Sequence, residues 1–308
     1  MDIILTGGNG FLGKYVLEEL YNRNHKDVYV PRSAQYNLTN NSAVEQLFEI
    51  HKPKQIIHLA ATVGGIGANM ENPGKFFYEN MSMGLNLIEN SRKFGIKKFV
   101  FVSTVCSYPK HCPVPFREEE IWNGYPEETN APYGIAKKAV GTMLDGYCRQ
   151  YGLKGACLIP TNLYGPGDNF DPRSSHVIPA IIKKFVDAKE QGLPNVSCWG
   201  TGNATREFLY VSDAATAIVD AFESVDDPVP INLGSGDELS IRDLVQRICA
   251  IVGYEGEIKW DNSKPDGQPK RFLDTNRARE VLGWSAVTSF DEGIKKTYEW
   301  YVKNRENI

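Results

Sequence analysis

Over the first 160 residues, short apolar runs alternate with helical patterns, and this alternation constrains the fold more than any other feature of the chain. Runs at 2–5, 27–30, 55–59, 98–103 and 155–160 have strand length, and helical stretches at 11–23, 41–50, 75–94 and 133–151 lie between them. Strands separated by helices are joined by right-handed crossovers and lie parallel. An α/β fold with a doubly wound parallel sheet is therefore expected. Sheets of this kind bind ligands along the carboxyl edge of their strands, so the residues that end each run are the ones to read for function.

The first run, Ile3-Ile4-Leu5, opens onto Thr6-Gly7-Gly8-Asn9-Gly10-Phe11-Leu12-Gly13 and then a helical pattern. Glycine permits the tight turn and lets backbone N–H groups approach a pyrophosphate at the helix N-terminus. A ligand-free Gly-rich turn is the alternative, but the strand before and the helix after favour a Rossmann dinucleotide site. The second run ends at Pro31-Arg32-Ser33 rather than at an acidic residue. A carboxylate there would accept from the adenosine ribose, whereas Arg32 can pair with a 2′-phosphate, so NADP is expected over NAD. A solvated loop charge is the other reading of Arg32. The third run ends at His58-Leu59-Ala60-Ala61, where small residues leave room for a cofactor and His58 reads as a core histidine.

The fourth run, Phe99-Val100-Phe101-Val102, stops at Ser103-Thr104-Val105-Cys106 and delivers hydroxyls to the sheet edge. After Pro132 comes Tyr133-Gly134-Ile135-Ala136-Lys137, with Tyr133 and Lys137 at i and i+4 on one helical face. A lysine one turn away lowers a phenol's pKa and makes it a usable acid near neutrality. Such pairs are common on solvated helix faces. The glycine turn makes this one informative.

These motifs, with Ser107-Tyr108-Pro109-Lys110, Pro160-Thr161-Asn162-Leu163-Tyr164-Gly165-Pro166, Asp168-Asn169-Phe170, Ser175-His176-Val177-Ile178-Pro179-Ala180 and Ser263-Lys264-Pro265-Asp266-Gly267, span nearly the whole chain. Together they resemble the extended short-chain dehydrogenase/reductase family, in its branch of GDP-sugar 3,5-epimerase-4-reductases. The resemblance implies an NADP(H)-dependent enzyme that epimerises C3 and C5 and reduces C4 of GDP-4-keto-6-deoxymannose, giving GDP-L-fucose. Tyr133 would give the proton to the C4 oxygen, with Lys137 holding the nicotinamide ribose and Thr104 hydrogen-bonding the same oxygen. Many members carry Ser at that last position. Thr104 is placed there by counting four back from Tyr108, which leaves Ser103 on the buried neighbouring position. Cys106 and His176 match the base and acid of epimerisation. Cofactor contacts implied are Gly7, Gly10, Phe11, Leu12, Gly13, Arg32, Ala60, Lys137, Pro160, Asn162, Leu163 and His176.

A nucleotide diphosphate must be met by local cations, because the 308-residue chain carries a net charge of -4. Lys184, Arg206 and either Lys270 or Arg271 are the candidates, with Asn162 on the sugar and Trp199 with Val177 walling the guanine. Adjacent Lys183 leaves a solvated pair as the alternative for Lys184. Two other functions remain in view. One is a C4 reductase, with or without epimerisation, of another GDP-4-keto sugar such as a 3,6-dideoxy sugar or a heptose. The other is an NADP-binding sensor without turnover, against which the five catalytic candidates weigh.

The acidic balance argues against nucleic-acid or membrane partners, and the longest apolar runs are too short to span a bilayer. Six scattered cysteines and five histidines lack metal-ligand spacing, so no metal is expected, and with no signal-like start the thiols read as reduced and the location as cytoplasmic. Past Pro160 the expected elements are helix 176–188, strand 206–211, helix 213–223 capped by Ser212, strand 229–233, helix 241–252 capped by Ser240 and helix 290–303. Residues 1–165 plus about 206–234 form the expected dinucleotide domain. A smaller, discontinuous C-terminal substrate-binding lobe takes about 166–205 plus 235–308. Helices 75–94 and 133–151 carry apolar residues on more than one face, and the resemblance implies a homodimer through them.

Overall fold

The computed structural model describes residues 2–264 and 268–307. Strand β1 (Ile3–Thr6) is buried along its whole length and turns directly into α1 (Phe11–Asn22), which lays Gly13, Val16 and Leu20 on the sheet. The order continues through β2 (Val28–Tyr29), α2 (Asn41–His51), β3 (Gln55–His58), α3 (Ile66–Glu71), α4 (Pro73–Lys93), β4 (Lys98–Val102), α5 (Ala131–Tyr151) and β5 (Lys154–Pro160). Next come β6 (Asn162–Tyr164), α6 (Val177–Glu190), β7 (Asn195–Trp199), β8 (Thr205–Tyr210), α7 (Val211–Ser224) and β9 (Pro230–Leu233). The chain ends with β10 (Glu238–Ser240), α8 (Ile241–Val252), β11 (Glu257–Asp261), β12 (Lys270–Arg271), α9 (Asn276–Leu282) and α10 (Phe290–Asn304).

The main sheet has the order β2-β1-β3-β4-β5-β9, parallel throughout, with Ile4 opposite Ile56 and Val100 opposite Ala156. All five β4 residues are buried, as expected of a central strand covered on both faces. One face is covered by α1 and α7 around Val16, Leu20 and Ile218; the other by α2, α4 and α5 around Phe48, Leu87 and Val140. The strand order reverses between β1 and β3, which opens a crevice at their carboxyl ends.

A second sheet is built on β8, which pairs with β10, β12 and β6, while β7 pairs with β11. Strand 205–210 thus pairs outside the six-stranded sheet, and the chain rejoins the first lobe only at α7, which packs on α1. The expected change of lobe at 206 falls inside β8. Phe185, Leu244, Ile248 and Ile294 form the core of this smaller part.

Helix α5 starts at Ala131 because proline is tolerated in a helical first turn, where its missing N–H leaves no bond unmade. Ser240 caps α8 as expected, accepting from the Asp243 N–H at 3.0 Å. Ser212 is not a cap: α7 begins one residue earlier, Tyr210 is its N-cap residue, and the Ser212 carbonyl accepts from Thr216. Strands β6, β7, β10, β11 and β12 were not expected. The shortest of them have two or three residues, too few to show a period.

Candidate functional site

A single cleft of about 1930 Å³ runs from the β1 turn, across the ends of β3, β4 and β5, to α6 and the edge of β7. Pockets for one small ligand run from roughly 300 to 1,000 Å³, so this volume suits two ligands side by side. At one end, Gly7, Gly10, Phe11, Leu12 and Gly13 line the wall. The Gly10 N–H donates to the Gly7 carbonyl at 2.9 Å, and a Cβ at Gly13 would overlap that same carbonyl. The turn is therefore tight enough to bring backbone donors against a pyrophosphate. Arg32 and Ala60 border this end. Among the described residues no carboxylate pairs with the Arg32 guanidinium, while its carbonyl accepts from the Gln35 and Tyr36 N–H groups, both at 2.9 Å. His58 lies behind the wall, 1% exposed and bonded to Thr6 Oγ1 at 2.8 Å, and burial holds its pKa well below the usual histidine value.

At the centre, β4 ends in a one-turn helix over Val105–Ser107 that is held by the Cys106 N–H donating to Thr104 Oγ1 at 3.2 Å. The first turn of α5 lies directly on it: Ser107 Oγ donates to the Gly134 carbonyl at 3.1 Å, and a Cβ at Gly134 would collide with the Cys106 carbonyl. This contact sets Tyr133 beside Thr104 and Cys106. Burial pushes the Tyr133 phenol above its ordinary pKa, the nearby Cys106 charge adds to that, and a hydrogen bond with Thr104 opposes it. The expected lowering by Lys137 is not what the site has. Lys137 lies over the Phe101 ring at 4.4 Å, and its own pKa is pulled down to about 7 by burial, opposed by Cys157. Desolvation outweighs a neighbouring charge that is itself half lost.

Across the cleft stand Pro160, Asn162, Leu163, Val177, Trp199 and Arg206, with His176 at the start of α6. Asn162 Nδ2 donates to the Glu207 carbonyl at 2.8 Å, which leaves its Oδ1 for other partners. Lys184 Nζ donates to the Ser197 carbonyl at 2.8 Å, and Arg206 Nη1 donates to the Gln268 carbonyl at 2.6 Å. The Trp199 indole is 65% exposed. Lys270 and Arg271 are separated: Lys270 points out toward Glu238 at 3.9 Å and is no part of the cleft wall, whereas Arg271 is buried in it. Strand alternation explains this, since neighbours on β12 face opposite sides. Pro265, Asp266 and Gly267 lie outside the described residues. Two further wall residues, Asp168 and Gln268, had no separate sequence signal beyond lying in or next to a quoted motif.

Among the described residues no group of three or more His, Cys, Asp or Glu could hold a metal ion, and no helix is long and apolar enough to cross a membrane. Residues 3–234 match the model of the NAD dependent epimerase/dehydratase family. The chain is 40% identical over 302 residues to a GDP-L-fucose synthase of Sinorhizobium fredii, covering 98% of this chain and 96% of that protein. Its fold is similar to a GDP-6-OMe-4-keto-L-xylo-heptose reductase of C. jejuni, with a TM-score of 0.92, 28% identity and 98% of both chains covered. A GDP-L-fucose synthetase of Naegleria fowleri bound to NADP superposes with a TM-score of 0.88 at 29% identity, covering 99% of this chain and 95% of that one.

Proposed function

The chain belongs to the NAD dependent epimerase/dehydratase family, and from that premise we propose that it is an NADPH-dependent enzyme that inverts C3 and C5 and reduces C4 of GDP-4-keto-6-deoxymannose. The observation that carries this reading is the shared wall of Thr104, Cys106 and Tyr133, which sets a thiol beside the phenol at the end of β4.

The first lobe takes the dinucleotide: the glycine turn fits a pyrophosphate, Arg32 a 2′-phosphate, and Lys137 the nicotinamide ribose. That cofactor, when bound, supplies hydride to C4. The second lobe takes the GDP group, with Lys184, Arg206 and Trp199 as its contacts. A ketone at C4 acidifies the hydrogens on C3 and C5. Cys106 as thiolate takes one of them, forming S–H, while the bond electrons pass into the C4 oxygen as an enolate. His176 as imidazolium then gives a proton to the opposite face, breaking its N–H, and the electrons return to the ring carbon. Tyr133 ends the sequence by giving its O–H proton to the C4 oxygen. Burial keeps the phenol protonated, as a donor must be, and at the same time makes it a weaker acid than an exposed one, so the proton moves only as the oxygen gains charge from the hydride.

Incubation in D₂O with and without NADPH tests the reading. Deuterium at both C3 and C5, followed by NADPH-dependent reduction, is the expected result. Reduction without exchange would replace this reading with that of a GDP-sugar C4 reductase, which similarity to the heptose reductase supports. The same proposal includes a homodimer through α4 and α5, since Phe77, Tyr78 and Leu85 of α4 remain exposed; a monomeric mass in light scattering at micromolar protein would remove it. A cytoplasmic location accords with six unpaired cysteines, and recovery in a membrane or secreted fraction would contradict it.

A further inference from the structure

Asp168 lies in the loop between β6 and α6, with its side chain 2% exposed. One carboxylate oxygen, Oδ1, accepts the Asn169 N–H at 2.7 Å. The other, Oδ2, is buried and has no hydrogen-bond partner among the described residues. Burying an unmet carboxylate oxygen is expensive, and folded proteins rarely do it without a use for the group. Asp168 is also part of the cleft wall.

The oxygen that faces His176 is the first one: Oδ1, which accepts the Asn169 N–H through one lone pair and has a second, lies 4.0 Å from His176 Nδ1. His176 is the N-cap residue of α6 but makes no side-chain cap bond, so the helix does not hold its imidazole. The ring is 48% exposed, so little packing restrains its torsions. Resting on the reading of His176 as the epimerisation acid, we propose that Asp168 is a positioning residue that accepts the His176 Nδ1–H and aims Nε2 at the sugar ring. A neutral imidazole carries one N–H, and a carboxylate at Nδ1 decides which nitrogen has it. With Nδ1–H held by Asp168 throughout, the imidazolium gives its Nε2 proton to the ring carbon and the neutral Nδ1–H form left behind has a bare Nε2 that takes a proton back. Without Asp168 the ring can turn or change tautomer, and the proton sits on the wrong nitrogen for half or more of the time.

The test is the tautomer itself. In protein labelled with ¹⁵N-histidine, the His176 signals are identified by their loss in His176→Gln, and the neutral ring is expected as the Nδ1–H form. In Asp168→Asn the signal is expected to move toward the Nε2–H form. Deuterium exchange catalysed through His176 should fall about 10²-fold in kcat with little change in KM, within the usual range for a positioned acid or base. A wild-type ring found as Nε2–H overturns the proposal even if the variant does not fold. So does an Asp168→Asn protein that melts cooperatively and keeps both the wild-type tautomer and the exchange rate, which would assign Asp168 to a substrate hydroxyl or to the loop. The underlying reading fails separately, by absence of C3 and C5 exchange in the wild-type enzyme.

Discussion

Arg271 Nη1 lies 3.7 Å from Cys106 Sγ, joining residues 165 positions apart in the chain. The guanidinium is 8% exposed, and its Nε and Nη2 donate to Gln268 Oε1 at 3.3 and 3.2 Å. Gln268 is fixed in turn by donating to the Lys110 carbonyl at 2.8 Å. Among the described residues no carboxylate pairs with Arg271. A buried guanidinium held by an amide and set against a sulfur fixes where that sulfur sits in the wall. Arg271→Gln should therefore slow deuterium exchange at C3 and C5 by roughly tenfold in kcat, with little change in the KM for the GDP-sugar. If Arg271 served only the diphosphate, KM would rise while exchange at saturating substrate stayed at the wild-type rate.

Arg32 borders the dinucleotide end of the cleft and has no carboxylate partner among the described residues. Arg32→Ala should weaken NADPH by about 10- to 100-fold, the worth of one charge-assisted contact, and leave NADH within a factor of about two. Titration of both nucleotides by fluorescence checks it. Equal losses for the two, or a wild-type protein that prefers NADH, would contradict the 2′-phosphate assignment.

Tyr133 is 7% exposed and its pKa is raised by burial, so it holds the proton that reduction consumes. Tyr133→Phe should cut NADPH oxidation by about 10³-fold while exchange at C3 and C5 continues, because the thiol and imidazole are untouched. Loss of both activities together would mean that the phenol also holds the sugar in place.

Long elements were legible in the sequence because many residues report one period: helix 11–23 is observed as Phe11–Asn22, and helix 241–252 is observed at those residues. The two-residue β12 carries no period, so Lys270 and Arg271 could not be told apart until their facing was known. The candidate site divides along the same line. Tyr133 and Lys137 can be paired by counting along a helix, and the glycine turn by its neighbours. Contacts between distant segments, Cys106 with Arg271 and Tyr133 with the Cys106 turn, depend on tertiary packing and leave no local mark. Gly134 was the nearest thing to a signal, since only a residue without Cβ lets α5 sit on the Cys106 carbonyl. The direction of the Tyr133 shift was missed for a related reason: spacing reveals a nearby charge but not how far both groups are removed from water.

The buried ammonium of Lys137 makes stability depend on pH in a defined window. Its pKa is about 7 in the fold, against 10.5 for an exposed lysine. Between these values the unfolded chain binds more protons than the folded one, so stability rises with pH. Below about pH 7 both states are protonated and the full cost of burying the charge is present. Toward pH 9 the thiols Cys112, Cys148 and Cys157, all raised by burial, act in the opposite sense because they ionise first in the unfolded chain, and Glu207, held at about 7, does so close to neutrality. The Lys137 contribution is therefore read as the difference between wild type and variant, about 2 kcal/mol between pH 7 and 9 at 1.36 kcal/mol per unit of differential proton binding. Lys137→Met should be more stable than wild type at pH 7, and its urea midpoint should lose this rise toward pH 9. A Met variant whose midpoint climbs between pH 7 and 9 as steeply as that of the wild type would show that another group supplies the slope and that Lys137 keeps its full charge in the fold.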